Sequence, residues 1–247
     1  MLEVSARTRE LITAGRDVAV LTGAGMSAES GVPTFRGQGG FWENESFEEL
    51  ATPRGFARDP DKIWRWYDAR RQGVAGCAPN AGHRALAGYE ARHPGLRVIT
   101  QNIDGLHQAA GSREVVELHG ALFRVRCTRE GTVREDRRVP LPEIPPRCSC
   151  GALLRPDIVW FGEPLPVQAV EAAYGAARRA LLFLVIGTSA VVYPAAGLPA
   201  VASEAGARVV EINPEPTAIS DQVDEVLRGP AAVILPELLG AAPATSR

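Results

Sequence analysis

The sequence predicts an α/β fold: a doubly wound parallel sheet carrying a smaller inserted module. Three observations predict it. Four segments of the 247-residue chain, 18–21, 96–100, 181–186 and 208–212, are short, nearly continuous apolar runs rich in β-branched residues, as parallel strands buried on both faces should be. Helix-length segments, clearest at 80–92 and 167–179, fall between several of them, and such alternation builds a doubly wound sheet. Each strand also runs into a polar, turn-forming group: Gly23-Ala24-Gly25, Gln101-Asn102-Ile103-Asp104, Gly187-Thr188-Ser189 and Asn213-Pro214. Open α/β sheets hold ligands beyond the carboxyl ends of their strands.

Taken in order, residues 1–16 alternate apolar and charged residues at helical spacing and lack a signal-peptide h-region. The first strand and its glycine turn follow. Residues 28–75 are aromatic-rich and read as helix and loop, with one well-marked helix over 60–72. Asp59 suits its N-cap, Pro60 its first position, and Gly73 its end. Spacing of i, i+4, i+7 puts Ile63, Tyr67 and Arg70 on one of its faces. The helix at 80–92 begins at a capping Asn80 and ends before Pro94-Gly95. Residues 121–157 hold three cysteines, a charged run and a proline-rich run, and break the alternation. The segment 158–163 reads as a strand leading back to the core, with an edge open to an extended peptide. The expected division is a core of approximately 1–27, 76–120 and 158–240 and a small domain of approximately 28–75 and 121–157, with a frayed tail from 240.

Composition narrows the function classes. A formal charge of -2 offers no footprint for nucleic acid or an acidic membrane. The longest apolar run, 180–186, is far too short to span a bilayer. Of the four cysteines, Cys127, Cys148 and Cys150 are clustered, which fits a metal or thiol role inside a cell better than a disulfide framework; Cys77 reads as an ordinary thiol. A cytoplasmic protein is expected.

The glycine turn after the first strand, Gly-x-Gly-x-x-Ala, suits close approach of backbone to a pyrophosphate. A dehydrogenase would continue into a long helix and a second strand ending in an acid roughly 20 residues on. Here Ser30-Gly31-Val32-Pro33 breaks any helix at once, and the nearest acids, Glu43 and Glu45, lie without strand character. The loop therefore predicts a dinucleotide held for something other than hydride transfer.

Together, Gly23-Ala24-Gly25-Met26-Ser27, Gly31-Val32-Pro33-Thr34-Phe35-Arg36, Gln101-Asn102-Ile103-Asp104, His119-Gly120, Phe161-Gly162-Glu163, Gly187-Thr188-Ser189 and Asn213 resemble the sirtuins in identity and order, over about residues 15–235. The resemblance implies a Rossmann-like domain, a small domain with structural zinc, and an NAD-dependent protein lysine deacylase that consumes NAD. It implies that Asp104 holds the nicotinamide carboxamide and that Asn102 and Ser27 position the ribose and an ordered water. Phe35 would cover the reacting sugar and Arg36 would fix the loop and phosphates. Gly23, Ala24, Gly25, Thr34, Trp42, Gln101, Ile103, Gly187, Thr188, Ser189, Asn213 and Ala231 would complete the NAD site. His119 would act as general base on the ribose hydroxyls, a task suited by an ordinary pKa near ~6.5. Val159, Phe161 and Gly162 would bind the acylated lysine. His83, His93 and His107 are expected to be structural.

Tyr67 and Arg70 match the Tyr-x-x-Arg pair of the sirtuins that remove succinyl and malonyl groups. An acidic acyl chain ends in a carboxylate, which arginine clamps bidentately while a tyrosine hydroxyl adds a third bond. The chain departs from the family at zinc. Cys127-Thr128-Arg129-Glu130 and Cys148-Ser149-Cys150 leave three thiols with Glu130 at the missing place. Three thiolates with the glutamate, three with a water, and a module folded without metal are all open. The rival readings are a protein ADP-ribosyltransferase using the same activated sugar and a non-catalytic NAD sensor.

Overall fold

The computed structural model describes residues 2–34 and 47–240, with Phe47 and Glu48 as backbone. Six parallel strands form the main sheet: β1 (Val18–Thr22), β2 (Arg97–Thr100), β3 (Val115–Glu117), β7 (Leu182–Ile186), β8 (Arg208–Asn213) and β9 (Glu225–Arg228), in the order β3-β2-β1-β7-β8-β9. The four predicted strands lie within a residue of their expected bounds. β3 and β9 are additional; at three and four residues, with polar ends, they carry too little pattern to be read from sequence.

Pleating sorts the strand side chains into two cores. Val18, Val20, Leu182, Leu184 and Ile186 face helices α1 (Ala6–Ala14), α5 (Ala81–Arg92) and α9 (Ala231–Leu238). Ala19, Leu21, Phe183 and Val185 face α7 (Val167–Arg179) and α8 (Leu198–Glu204). Both faces being covered explains why these strands are unbroken apolar runs. Sheet order reverses at β1, which lies between β2 and β7, so a crevice opens beyond the carboxyl ends of β1 and β7. Gly25 and Gly187 let the two tips touch there. The Gly25 amide donates to the Gly187 carbonyl at 2.8 Å, and a Cβ on Gly25 would sit 2.8 Å from the Gly187 Cα. Gly187 itself has φ +58, a left-handed turn that glycine adopts without cost.

A three-stranded antiparallel sheet, β5-β4-β6, stands apart from the first, built from β4 (Gly120–Cys127), β5 (Val133–Glu135) and β6 (Leu154–Ile158). Helix α4 (Pro60–Ala75) joins it, with α2 (Phe47–Leu50) and α3 (Pro53–Arg58) before it, in a core holding Leu50, Phe56, Ile63, Trp64, Tyr67, Val125, Leu154 and Trp160. The Trp64 indole donates to the Leu154 carbonyl at 2.7 Å. Arg71, fully buried, pairs with Asp136 and with the carbonyls of Leu122 and Arg138.

Two local expectations are corrected. Asp59 caps α4 by accepting from the Lys62 amide at 2.9 Å, but the helix runs through Gly73 to Ala75. Burial of Val74 holds the last turn despite the helix cost of glycine. The predicted strand 158–163 ends at Ile158, because Gly162 turns left-handed at φ +87 and the Glu163 carboxylate accepts the Trp160 amide. The amides of Val159 and Phe161 donate to the carbonyls of His119 and Ala51, so this stretch is already tied to its neighbours. Among the described residues, no helix is long and apolar enough to cross a membrane.

Candidate active site

A cavity of about 600 Å³ opens in the crevice and continues to the small sheet. Gly23, Ala24, Gly25, Gln101, Asn102, Ile103, Gly187, Thr188, Ser189 and Asn213, each at a strand tip, line it, as does Thr34. Cross-links fix these tips. The Gln101 amide donates to the Thr188 hydroxyl at 2.9 Å, and Asn213 donates to the Thr188 carbonyl at 3.0 Å.

Behind Asn102 lies a buried polar chain. Ser27, with no exposed surface, donates to Asp104 Oδ2 at 2.7 Å. Asn102 donates to the Gly23 carbonyl at 2.9 Å and to Ser27 Oγ at 3.2 Å, while the amide of Leu106, which opens the short helix α6 (Leu106–Ala109), donates to Asp104 Oδ1. Burial nevertheless raises the Asp104 carboxyl above its usual range. The carboxylate is thus held by two donors, the Ser27 hydroxyl and the Leu106 amide.

His119 sits on the cavity wall between β3 and β4, with Nδ1 2.9 Å from the Gln101 carbonyl. A carbonyl oxygen only accepts, so Nδ1 carries the hydrogen and Nε2 is the basic nitrogen of the neutral ring. Burial lowers the His119 pKa and keeps that ring neutral. The other histidines are tied into the scaffold. His83 completes the Asn80 capping box and His107 lies 3.0 Å from Thr22 Oγ1, their rings 4.9 Å apart. Burial brings them to about 4 and about 3. His93 follows α5 and packs on Tyr89.

At the other end of the cavity, α4 presents Tyr67 and Arg70, 1% and 8% exposed. The Arg70 guanidinium lies 4.8 Å from the centre of the Trp66 ring, a cation–π distance. Burial pulls the Arg70 pKa down and pushes that of Tyr67 up. Val159, Phe161 and Gly162 line the same end. Ala51, Trp66, Trp160 and Tyr193 line the cavity as well, and sequence reasoning missed them. Trp66 had a signal, since it stands i, i+4 to Arg70; Ala51 and Tyr193 had none.

Three expected NAD contacts, Phe35, Arg36 and Trp42, lie outside the described residues. Ala231 is buried in the core at the start of α9 and does not line the cavity.

The clustered cysteines come together with Glu130. One ligand atom from each of Cys127, Glu130, Cys148 and Cys150 lies within 4.8 Å of the others. The Cys127 and Cys150 sulfurs are 3.5 Å apart, and Cys148 Sγ is 3.8 Å from Glu130 Oε2. Tetrahedral ligands about 2.3 Å from a zinc ion stand about 3.7 Å from one another, so this donor set fits Zn²⁺. The Glu130 amide, donating to the sulfur, holds the Cys127 thiol below its usual value. Cys127 ends β4 eight residues beyond His119, and none of the four residues lines the cavity. Cys77 stands outside it, its thiol donating to the Gly73 carbonyl.

A model of the Sir2 family matches residues 23–194. The chain is 55% identical over 231 residues to NAD-dependent protein deacylase 2 of Pyrobaculum aerophilum, covering 93% of this chain and 92% of that one. It is 49% identical over 241 residues to the NAD-dependent protein deacylase of Thermococcus kodakarensis, covering 93% and 92%. Among solved structures, a Sir2 homologue in complex with NAD superimposes with a TM-score of 0.89 at 44% identity, covering 97% of this chain and 94% of that one. A Sir2 protein solved with a deacetylated p53 peptide and 3′-O-acetyl ADP-ribose gives 0.87 at 34% identity, covering 95% and 96%.

Proposed function

This chain belongs to the Sir2 family and is an NAD-dependent protein deacylase, and we propose that it acts preferentially on lysines carrying an acidic acyl group, succinyl or malonyl. The observation that carries this reading is Arg70, a cation buried beside Tyr67 in the wall of the cavity. A guanidinium taken out of water gains most from a carboxylate that it meets there. An acetyl group offers none.

NAD supplies a ribose C1′ that becomes electrophilic as nicotinamide leaves. In our reading the residues around it divide the remaining work. Asn102, braced from behind by Ser27 and through it by Asp104, holds the ribose and nicotinamide end in one orientation, so the amide oxygen of the acyl-lysine faces C1′. His119, neutral and with its basic Nε2 unencumbered by the Gln101 bond, takes a proton from a ribose hydroxyl. With one water consumed, the products are nicotinamide, O-acyl-ADP-ribose and free lysine. In the same reading Phe161 and Val159, which line the cavity, flank the lysine stem. Cys127, Cys148, Cys150 and Glu130 would hold a structural zinc, which would fasten β4 to the turn before β6.

Turnover of one peptide bearing acetyl, malonyl or succinyl lysine tests the proposal. A higher kcat/KM for the acidic groups, with O-acyl-ADP-ribose identified by mass, is expected. An acetyl preference sinks the acidic-acyl reading, and ADP-ribosylated peptide in place of free lysine sinks the deacylase products.

A further inference from the structure

Trp160 is buried, 2% exposed, and its indole nitrogen lies 2.9 Å from the Tyr67 hydroxyl. An indole N–H donates and never accepts. The Tyr67 oxygen is therefore the acceptor, and its single hydrogen is left to point elsewhere. Among the described residues no hydrogen bond with Tyr67 as donor is found, and the side chain lines the cavity. Accepting one hydrogen bond also polarises a hydroxyl and makes it a stronger donor. Burial pushes the Tyr67 pKa up, so the hydroxyl keeps its hydrogen.

The indole is itself held from several sides. The Arg155 guanidinium lies 3.6 Å from the centre of its ring, and Phe56 packs at 5.3 Å. Arg155 makes a bidentate pair with Glu163 at 2.6 and 2.8 Å, and the same carboxylate accepts the Trp160 amide at 2.8 Å. The guanidinium that covers the ring is itself held by Glu163, and the same carboxylate anchors the Trp160 backbone, so the indole N–H is kept on the Tyr67 hydroxyl.

We infer that Trp160 is a positioning residue for acyl selection: its indole N–H fixes Tyr67 as a donor aimed at the carboxylate of the acyl group, next to Arg70. This rests on the reading of Tyr67 and Arg70 as the acidic-acyl pocket. Without Trp160 the hydroxyl is free to present a lone pair to that carboxylate, which repels it. Selection thus depends on a residue that itself has no charge to offer the substrate.

A double-mutant cycle tests the inference, read as the succinyl-to-acetyl ratio of kcat/KM on one peptide. Trp160→Phe should lower that ratio roughly tenfold, the worth of one hydrogen bond to a charged group, mainly through the succinyl KM. Tyr67→Phe should lower it similarly, and the double variant no further than Tyr67→Phe alone. Replacing the Trp160 indole by the isosteric benzothiophene keeps the ring, removes only the N–H, and should reproduce Trp160→Phe even if that variant folds poorly. An unchanged ratio in the benzothiophene protein, or a Trp160 effect that persists undiminished without the Tyr67 hydroxyl, overturns the inference. Arg70→Met is the separate control. If it leaves the ratio unchanged, the acidic-acyl reading has failed; if it collapses the ratio while the Trp160 variants do not, only the role of Trp160 has failed.

Discussion

Replacing Arg70 by methionine isolates the charge that acyl selection is proposed to need. Methionine approximates the length of the arginine stem and is flexible enough to fill the space. Arg70 is 8% exposed, so its attraction for a bound carboxylate is little screened by salt. At a separation of about 4 Å and an effective dielectric of about 20, that attraction is about 4 kcal/mol. Desolvating the incoming carboxylate opposes it, whereas the guanidinium is already desolvated in the folded protein, as its lowered pKa reports. A net 2–4 kcal/mol, roughly 30- to 1000-fold, should vanish from the succinyl-to-acetyl ratio of kcat/KM. The assay is initial-rate turnover of matched succinyl, malonyl and acetyl peptides with saturating NAD. A second signature accompanies it. Arg70 also holds the Asp104 carboxyl down against burial. Removing the cation lets that carboxyl titrate at higher pH, so an acid limb belonging to Asp104 moves up in the acetyl reaction. Equal losses on all three peptides would refute the reasoning, because a general packing defect, not a lost ion pair, produces them.

Two further expectations concern stability and metal. His83 and His107 titrate at about 4 and about 3 in the folded protein, against about 6.5 unfolded. Below pH 6.5 the unfolded chain binds protons that the native state refuses, so stability falls with falling pH, by up to about 1.4 kcal/mol per pH unit for each ring. Denaturant midpoints should drop between pH 7 and 5, and His107→Gln should flatten the dependence; a flat profile in the unaltered protein would contradict the burial of these rings. Purified protein should hold one zinc per chain. Glu130→Gln should weaken it in chelator competition by about tenfold or more while Glu130→Cys tightens it, and a zinc content far below one per chain would remove the proposed site.

Much of the fold was legible because its signals are local. Runs such as Val18–Thr22 and Leu182–Ile186 show their two-sided burial directly in composition. Asp59 and Asn80 announce helix starts by the chemistry of their own side chains. The edge strands β3 and β9 were not legible, being short and half-polar. The antiparallel sheet was missed for another reason. β4 carries Arg124 and Arg126 on one face because Asp157 of β6 receives both, so its charged run hid the strand pattern. Gly73 misled because burial of the next residue decides whether a helix continues.

For the site, the sequence alone determined which chemistry is available: glycines at strand tips, the amides of Gln101 and Asn102 with the carboxylate of Asp104, one histidine before a glycine, and an arginine one turn from a tyrosine. Those follow from residue type and from periods of two and 3.6 residues, which the chain carries along itself. Direction was decided only in three dimensions. The Gln101 carbonyl selects the His119 tautomer, Trp160 selects the polarity of the Tyr67 hydroxyl, and folding alone brings Glu130 within reach of Cys148. Each is a matter of which atom meets which at about 3–4 Å, a distance between residues up to 93 apart in the chain that no local pattern encodes.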